Sequence, residues 1–186
     1  MIITISGALG SGKTTVGKLL AKKLGYEYYS MGNVMGDMAK ERGITLDEFG
    51  KICEKDRNMD KEIDAHQILI GKTKNNFVMD SRLAFHFIPQ SVKVCLMADE
   101  DIRVHRTWYD KTNDRSDEKK VGTIEDKKQT MRERRESEKV RYKKFYGIED
   151  FTDSKHYDLI IDTSHITIEQ VVNTILEYIK KKIQKS

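Results

Sequence analysis

The sequence has little of the composition that marks specialised protein classes. Its 186 residues include one proline, two cysteines and one tryptophan. No apolar run approaches the roughly 18 residues of a membrane span, and no basic segment precedes the first apolar residues. We therefore expect neither a membrane helix nor a secretory signal, and a cytoplasmic location. Cys53 and Cys95 lack metal-ligand spacing, and we interpret each as a small buried apolar residue. These features exclude disulfide scaffolds and fibrous repeats and favour one globular domain over residues 1–186.

Charge is unevenly distributed, although the formal net charge is only +4. Residues 127–144 contain nine basic and three acidic side chains, a net charge of +6, so the rest of the chain sums to −2. A basic helical stretch of this kind is typical of a solvated face, a nucleic-acid surface or an anion site, and charge alone favours the first.

Five short apolar runs alternate with segments of helical periodicity. The runs that we predict to be strands are 2–5, 28–29, 77–80, 92–96 and 159–161. Capping-box patterns at 45–48 and 167–170 indicate two helix starts. Parallel strands need crossover helices, so the alternation predicts an α/β fold with a five-stranded parallel sheet and helices on both faces. Residues 110–121 are polar and without periodicity, and we expect a mobile loop there.

A phosphate-binding motif lies between the first predicted strand and the first predicted helix. Residues 7–14 fit G-x-x-x-x-G-K-[ST], the P-loop pattern. Backbone N–H groups of such a loop surround the phosphates of a nucleoside triphosphate, Lys13 reaches the β and γ phosphates, and Thr14 can bind Mg²⁺. The residues expected to hold ATP are Gly7, Ala8, Leu9, Gly10, Ser11, Gly12, Lys13, Thr14 and Thr15.

The rest of the chain narrows the class of P-loop protein. No Asn is followed by Lys, so the guanine motif of GTPases is missing. The third predicted strand ends in a single carboxylate, Asp80, which suits a Mg²⁺ ion held directly or through water. Arg82 follows it and predicts a phosphate contact.

Arginines are concentrated at three places, as expected of a site that holds two polyanions. Transfer between phosphates needs cations rather than a general base, because the acceptor is already an anion. The candidates are Arg82, then Arg103 and Arg106 on one helix, then Arg132, Arg134, Arg135 and Arg141 on the basic helix. Arg134, Glu138 and Arg141 share a helical face. Glu138 between two arginines could bind the amino group of a base, and a salt-bridge ladder explains the spacing equally well.

Several stretches together resemble the nucleoside monophosphate kinases, and in particular the archaeal-type cytidylate kinases, over essentially the whole chain. Besides the P-loop at 1–15, these are Ser-Met-Gly at 30–32, Ala-Lys-Glu-Arg-Gly at 39–43, Asp-Ser-Arg-Leu-Ala at 80–84, Arg-Arg-Glu-Ser-Glu at 134–138, Arg-Tyr at 141–142, Tyr-Gly-Ile at 146–148 and Tyr-Asp-Leu-Ile-Ile-Asp-Thr at 157–163.

The resemblance implies transfer of a phosphoryl group from ATP, with Mg²⁺, to CMP or dCMP. It implies a P-loop core with a monophosphate-binding region at about 32–70 and a lid at about 107–125. The acceptor would contact Ser30, Gly32, Arg82, Arg134, Glu138 and Arg141. The catalytic residues would be Lys13, Arg103 and Arg106, and the metal ligands Thr14 and Asp80. We expect the nucleotides ATP and CMP or dCMP as small-molecule partners, no membrane or nucleic-acid partner, and a monomer.

Two positions depart from the family pattern. Gly36 stands where an arginine for the acceptor phosphate is usual, so Lys40, Arg42 or Arg57 would have to replace it. Ser81 stands where Gly usually precedes the arginine at position 82.

Asp60, Asp64 and Gln67 share a helical face, which we interpret as solvated rather than base-reading. Two alternatives stay open. One is a P-loop kinase for another acceptor, such as UMP, AMP or a small metabolite, and the other is a regulatory or RNA-binding module without turnover.

Overall fold

A computed structural model describes residues 1–109 and 121–184. Within them a five-stranded parallel sheet has the order β2-β3-β1-β4-β5. The strands are β1 (Ile2–Gly7), β2 (Glu27–Ser30), β3 (Phe77–Asp80), β4 (Val92–Met97) and β5 (Leu159–Asp162). The predicted sheet is thereby confirmed, and the strand that leads into the glycine loop lies at its centre.

Eight α-helices connect and follow the strands within the described residues. They are α1 (Lys13–Leu24), α2 (Met31–Glu41), α3 (Leu46–Lys55), α4 (Arg57–Thr73), α5 (Ala84–Phe87), α6 (Glu100–Tyr109), α7 (Ile124–Tyr146) and α8 (Ile168–Ile183), with a 3₁₀ turn at Ser154–His156. Both predicted capping boxes are present, with Thr45 and Thr167 as N-caps.

The sheet is covered on both faces because its strands are apolar on both sides of the pleat. Ile3 and Ile5 of β1 pack in the cluster that includes α1 and α8. Phe77 and Met79 of β3 pack in a second cluster that includes Met31 and the region of α5. Cys53 and Cys95 are both buried and unpaired, as expected.

Helices α2, α3 and α4 make up a small helical layer with an apolar cluster of its own, which includes Phe49 and Ile63. This layer contacts α7: Ser137 donates a hydrogen bond to the Glu54 carboxylate, and Lys144 Nζ lies 3.3 Å from the Glu54 carbonyl oxygen. The residues 32–70 fall within this layer, and their role in binding a monophosphate stays a prediction. Most of the expected lid, residues 110–120, lies outside the described residues, and the described chain stops at the end of α6 and resumes just before α7.

Candidate functional site

One cavity of about 720 Å³ opens at the carboxyl ends of the strands. Ligands of parallel α/β proteins bind at this edge of the sheet. The glycine loop and the end of β3 form one part of the wall, and α2, α4, α6 and α7 form the rest together with residues 163–168. The glycine loop and Arg82, Arg106, Arg134 and Arg141 therefore face one space.

The loop before α1 keeps the shape that the motif predicts. Residues 9–15 line the cavity, with α1 beginning at Lys13, so the first N–H groups of the helix are available to an anion. A Cβ atom at Gly7 would lie 2.3 Å from the Leu96 carbonyl oxygen, and one at Gly10 would lie 2.5 Å from the Arg103 carbonyl oxygen. Both positions also have positive φ, +144° and +81°, so glycine is required for this path.

Lys13 lies over the loop, where its Nζ donates a 2.8 Å hydrogen bond to the Ala8 carbonyl oxygen. Burial and the nearby Arg82 guanidinium lower the pKa of Lys13 to about 7. A phosphate in the loop would favour the charged form and raise that pKa again.

Asp80, at the end of β3, and Thr14, in the first turn of α1, both line the cavity. Tyr28 donates a hydrogen bond to one Asp80 oxygen, and Ser30 Oγ donates to the other at 3.0 Å. Each carboxylate oxygen keeps a further lone pair, and a hydroxyl with one carboxylate is a donor set that Mg²⁺ accepts beside phosphate and water. The residues therefore fit the implied metal. Ser30 thus orients Asp80, and its contact with the acceptor stays a prediction.

Glu138 joins two of the predicted acceptor arginines. Its carboxylate accepts from Arg82 Nε at 2.5 Å and from Arg134 Nε at 3.2 Å. The exposed side-chain fractions are 13%, 13% and 9% for Arg82, Arg134 and Glu138. Burial opposes ionisation of Glu138, but the two guanidinium groups outweigh it and hold its pKa below the usual value. Because both carboxylate oxygens accept hydrogen bonds, Glu138 holds the side chains of Arg82 and Arg134 in position.

Arg141 pairs with Asp60 across the cavity wall, with 3.4 Å between Nε and Oδ2 and both side chains buried. The interpretation of the α4 face as solvated is wrong. Asp60 and Gln67 are only 4% and 3% exposed, and with Asp64 they line the cavity. Arg141 and Tyr146 of α7 contact Asp60 and Asp64, and Ser81 contacts Gln67. Spacing within α4 cannot show these contacts.

The two arginines of α6 differ in position. Arg106 lines the cavity and donates to Thr163, at 3.0 Å to its hydroxyl and 2.6 Å to its carbonyl oxygen. Arg103 donates to the Ala98 and Leu9 carbonyl oxygens at 3.0 and 3.3 Å, so it supports the glycine loop from behind. A contact of Arg103 with the transferred group stays a prediction.

None of the three candidates to replace the arginine missing at Gly36 lines the cavity. Arg42 donates to the Met38 carbonyl oxygen, Arg57 lies over the Phe145 ring, and Lys40 is exposed on α2. The described cations that do line it are Lys13, Arg82, Arg106, Arg134 and Arg141.

Sequence reasoning missed Thr163, Tyr28 and Tyr146 as members of the site. Thr163 lines the cavity, and its hydroxyl oxygen lies 3.0 Å from the Met97 carbonyl oxygen and 3.2 Å from that of Ser11, either of which can accept its proton. Its place directly after a predicted strand was a usable signal, because carboxyl ends of parallel strands meet at one edge. The two tyrosines gave no such signal.

A glycine loop at the end of a central strand, facing a cavity rich in arginine, defines the class of P-loop kinases. The chain belongs to the cytidylate kinase-like family, which it matches over residues 2–165. It is 39% identical to a cytidylate kinase from Methanococcoides burtonii, over 100% of this chain and 98% of that protein.

One further relative and one solved structure are similar to the chain. The chain is 37% identical to an S-adenosylmethionine-dependent nucleotide dehydratase from Lacinutrix mariniflava, over 96% of this chain and 36% of that protein. A shikimate kinase from Bacteroides thetaiotaomicron has the same fold, with a TM-score of 0.66, 15% identity and coverage of 97% and 98% of the two chains. The resemblance seen in the sequence is confirmed, and so is the assignment to the nucleoside monophosphate kinases. No helix in residues 1–109 and 121–184 is long and apolar enough to cross a membrane.

Proposed function

We propose that the chain transfers the γ-phosphoryl group of ATP to CMP or dCMP. The observation that carries the proposal is the single cavity that joins the glycine loop to Arg82, Arg134 and Arg141. The family match and the cytidylate kinase from Methanococcoides burtonii support the same acceptor class.

In this proposal the loop N–H groups and Lys13 hold the donor phosphates. Arg82 and Arg134 hold the acceptor phosphate, and Glu138 fixes their direction before the acceptor arrives. Arg106 neutralises charge on the transferred group. Its guanidinium is close to the glycine loop, because it binds the Thr163 hydroxyl, which lies within hydrogen-bond distance of the Ser11 carbonyl oxygen. The acceptor oxygen attacks the γ phosphorus, the bond to the bridging oxygen of ADP breaks, and no protein base is needed. When bound by Thr14 and Asp80, Mg²⁺ would offset charge on the phosphate oxygens.

The charge pattern of α7 supports an anion site over an RNA surface. Arg134 and Arg141 point into the cavity. Lys128 and Arg132 pair with the acidic start of α6, and Lys143 pairs with Glu149. When the cations of a helix point inward or pair with carboxylates, they contribute little to binding the phosphates of a nucleic acid. The regions at 32–70 and 107–125, a monomeric state and a cytoplasmic location are part of the same proposal.

A coupled assay of ADP release tests it, with Mg-ATP and CMP, dCMP, UMP, AMP, GMP or no acceptor in parallel wells. We expect turnover with CMP and dCMP and only slow release without acceptor. Equal release in the absence of any acceptor, or turnover confined to a purine, would refute the proposal.

A further inference from the structure

The wall of the cavity that lies farthest from the glycine loop is made by α4 and the end of α7. Arg134 lies beside Ala8 and Leu9 of the loop. Tyr146 is twelve residues further along α7, about 18 Å down the helix axis at 1.5 Å per residue. Tyr146 donates a 2.7 Å hydrogen bond to Asp64 Oδ2. Asp64 therefore marks the end of the cavity away from the phosphates.

Gln67 is one helical turn from Asp64 on the same face of α4, and its side chain is oriented by its neighbours. The Leu83 N–H donates to Ser81 Oγ at 3.4 Å, and Ser81 Oγ donates to Gln67 Oε1 at 2.6 Å. With its oxygen engaged in this way, Gln67 keeps its amide nitrogen as a donor. That nitrogen makes no hydrogen bond to the described residues, although Gln67 is 3% exposed and lines the cavity.

Asp64 complements this donor with an acceptor. Its Oδ2 is engaged by Tyr146, and its Oδ1 has no hydrogen-bond partner among the described residues. The other acidic groups of the wall are already used: Asp60 pairs with Arg141, and Glu138 binds Arg82 and Arg134. One acceptor and one donor thus face the far end of the cavity side by side.

We infer that Asp64 and Gln67 read the edge of the pyrimidine base and select cytosine over uracil. The inference rests on the proposed function for its ligand. The Asp64 carboxylate accepts from the 4-amino group of cytosine, and the Gln67 amide donates to the neighbouring ring nitrogen or carbonyl oxygen. Uracil has a carbonyl oxygen in place of that amino group. Two hydrogen-bond acceptors, this oxygen and the carboxylate, would then face each other and repel. These two residues would supply selectivity that the arginines, which hold phosphate, cannot.

The charge of Asp64 makes the selection depend on pH. Burial raises the pKa of Asp64 to about 6, against the lowering effect of the Tyr146 hydroxyl; Asp60 adds to the rise, and Arg141 and Arg57 oppose it. Above pH 6 the carboxylate only accepts, which favours cytosine. Below pH 6 the neutral acid can donate to the uracil carbonyl, so the preference decreases. The second ionisation of the phosphate is common to both nucleotides and cancels in their ratio.

The test is the ratio of Kd values for UMP and CMP, measured by calorimetry on the wild type and on D64N at pH 5 and pH 7.5. The variant amide keeps the size of the side chain and can still accept from Tyr146. We expect the wild-type ratio to exceed that of D64N by about 10- to 100-fold at pH 7.5, the value of one charge-assisted hydrogen bond. We also expect the ratio to decrease at pH 5 in the wild type only. Glu62→Gln is the matched control, on the same helix, exposed and away from the cavity.

An unchanged ratio in D64N, with a folded protein by circular dichroism, would overturn the inference, and so would equal wild-type affinity for UMP and CMP. Turnover of both nucleotides is recorded in parallel. A wild type that binds CMP selectively but transfers no phosphate would refute the proposed function and leave this inference standing.

Discussion

At the scale of single residues, the cations of the cavity are already engaged by groups of the protein. Lys13 is bound to Ala8, and Arg106 to Thr163. Arg82 and Arg134 share Glu138, while Arg141 faces Asp60. These partners keep the cations in place, which lowers the entropic cost of ordering them when phosphate arrives. The incoming phosphates then compete with protein oxygens, so affinity depends on those internal partners as well as on the arginines.

Lys13→Ala should lower turnover at least about 100-fold without unfolding the chain, as expected for one preorganised charge donor. The coupled assay of ADP release measures this change.

The lowered pKa of Lys13, about 7, predicts that ATP binding depends on pH. At pH 8 Lys13 is mostly neutral in the empty site. Bound phosphates raise its pKa, so ATP binding should take up a proton. Because of this uptake, the affinity for ATP should decrease as the pH rises above 7. Calorimetry in two buffers of different ionisation enthalpy measures this uptake. Lys18→Ala, exposed on the same helix, is the control. A proton uptake in the wild type at pH 8 no larger than that of Lys13→Ala would contradict the assignment.

Glu138→Gln should destabilise the fold by about 3 kcal/mol, because it leaves two buried guanidinium groups short of a charge partner. The pKa of Glu138 is held below its usual value. Its contribution is thus present above the unfolded pKa of about 4.3 and lost as pH falls through the folded value. Urea unfolding at pH 7 checks the magnitude. Glu133→Gln, whose carboxylate accepts only from Gln129 in the described contacts, should cost far less. Equal losses of unfolding free energy in the two variants would contradict the stabilising role of Glu138.

The course of the glycine loop can be predicted from the sequence, because the P-loop is a local motif whose spacing alone sets its geometry. That its residues hold the donor stays a prediction. Sequence reasoning fails at Asp60, because the burial of Asp60 depends on Arg141 of α7. It fails at Gln67, because the partner of Gln67 is Ser81, on the far side of β3. It also leaves open whether Glu138 binds a ligand or a neighbour. The distance to Arg82, from a different element, shows the neighbour; a contact of Glu138 with the acceptor stays a prediction.

At the scale of elements, strands and caps follow from the sequence because their signals lie within a few residues. The break between α3 and α4 does not follow, since no Gly or Pro marks it. The structure places it at Asp56, whose side chain accepts from the Asn58 N–H and so caps α4. The short helix α5 has only four residues, too few for any periodicity.

Thr163 is the junction between β5, α6 and the glycine loop, because its hydroxyl accepts from Arg106 and is within hydrogen-bond distance of the Ser11 carbonyl oxygen. Thr163→Val keeps the shape and removes these bonds. We expect Kd for ATP to increase about 3- to 10-fold, with a stability cost of about 1 kcal/mol. Equilibrium binding of ATP and of CMP gives the readout, and CMP affinity should change less. Thr174→Val, exposed on α8, is the control. An equal loss for both nucleotides would argue against a junction specific to the donor side.

At the scale of the whole molecule, both nucleotides should stabilise the folded chain, since one cavity joins its core to the α2–α4 layer. ATP at 100 times its Kd adds about 2.7 kcal/mol. For a chain of this size that corresponds to an increase in Tm of about 5–10 °C. Thermal unfolding followed by circular dichroism measures it, with and without Mg-ATP. A comparable increase in Lys13→Ala at the same nucleotide concentration would place the binding outside the glycine loop.

The central place of β1 in the sheet has a consequence for how the chain is made. Its hydrogen-bonding neighbours are β3 and β4, and β4 ends 90 residues after β1. At about 5–20 residues per second, a ribosome needs roughly 5–18 s to complete that interval. During this time the side chains of Ile2, Ile3 and Ile5 have no sheet to enter. The strand that leads into the nucleotide loop is therefore a segment open to chaperone capture or aggregation while its partners are still being synthesised.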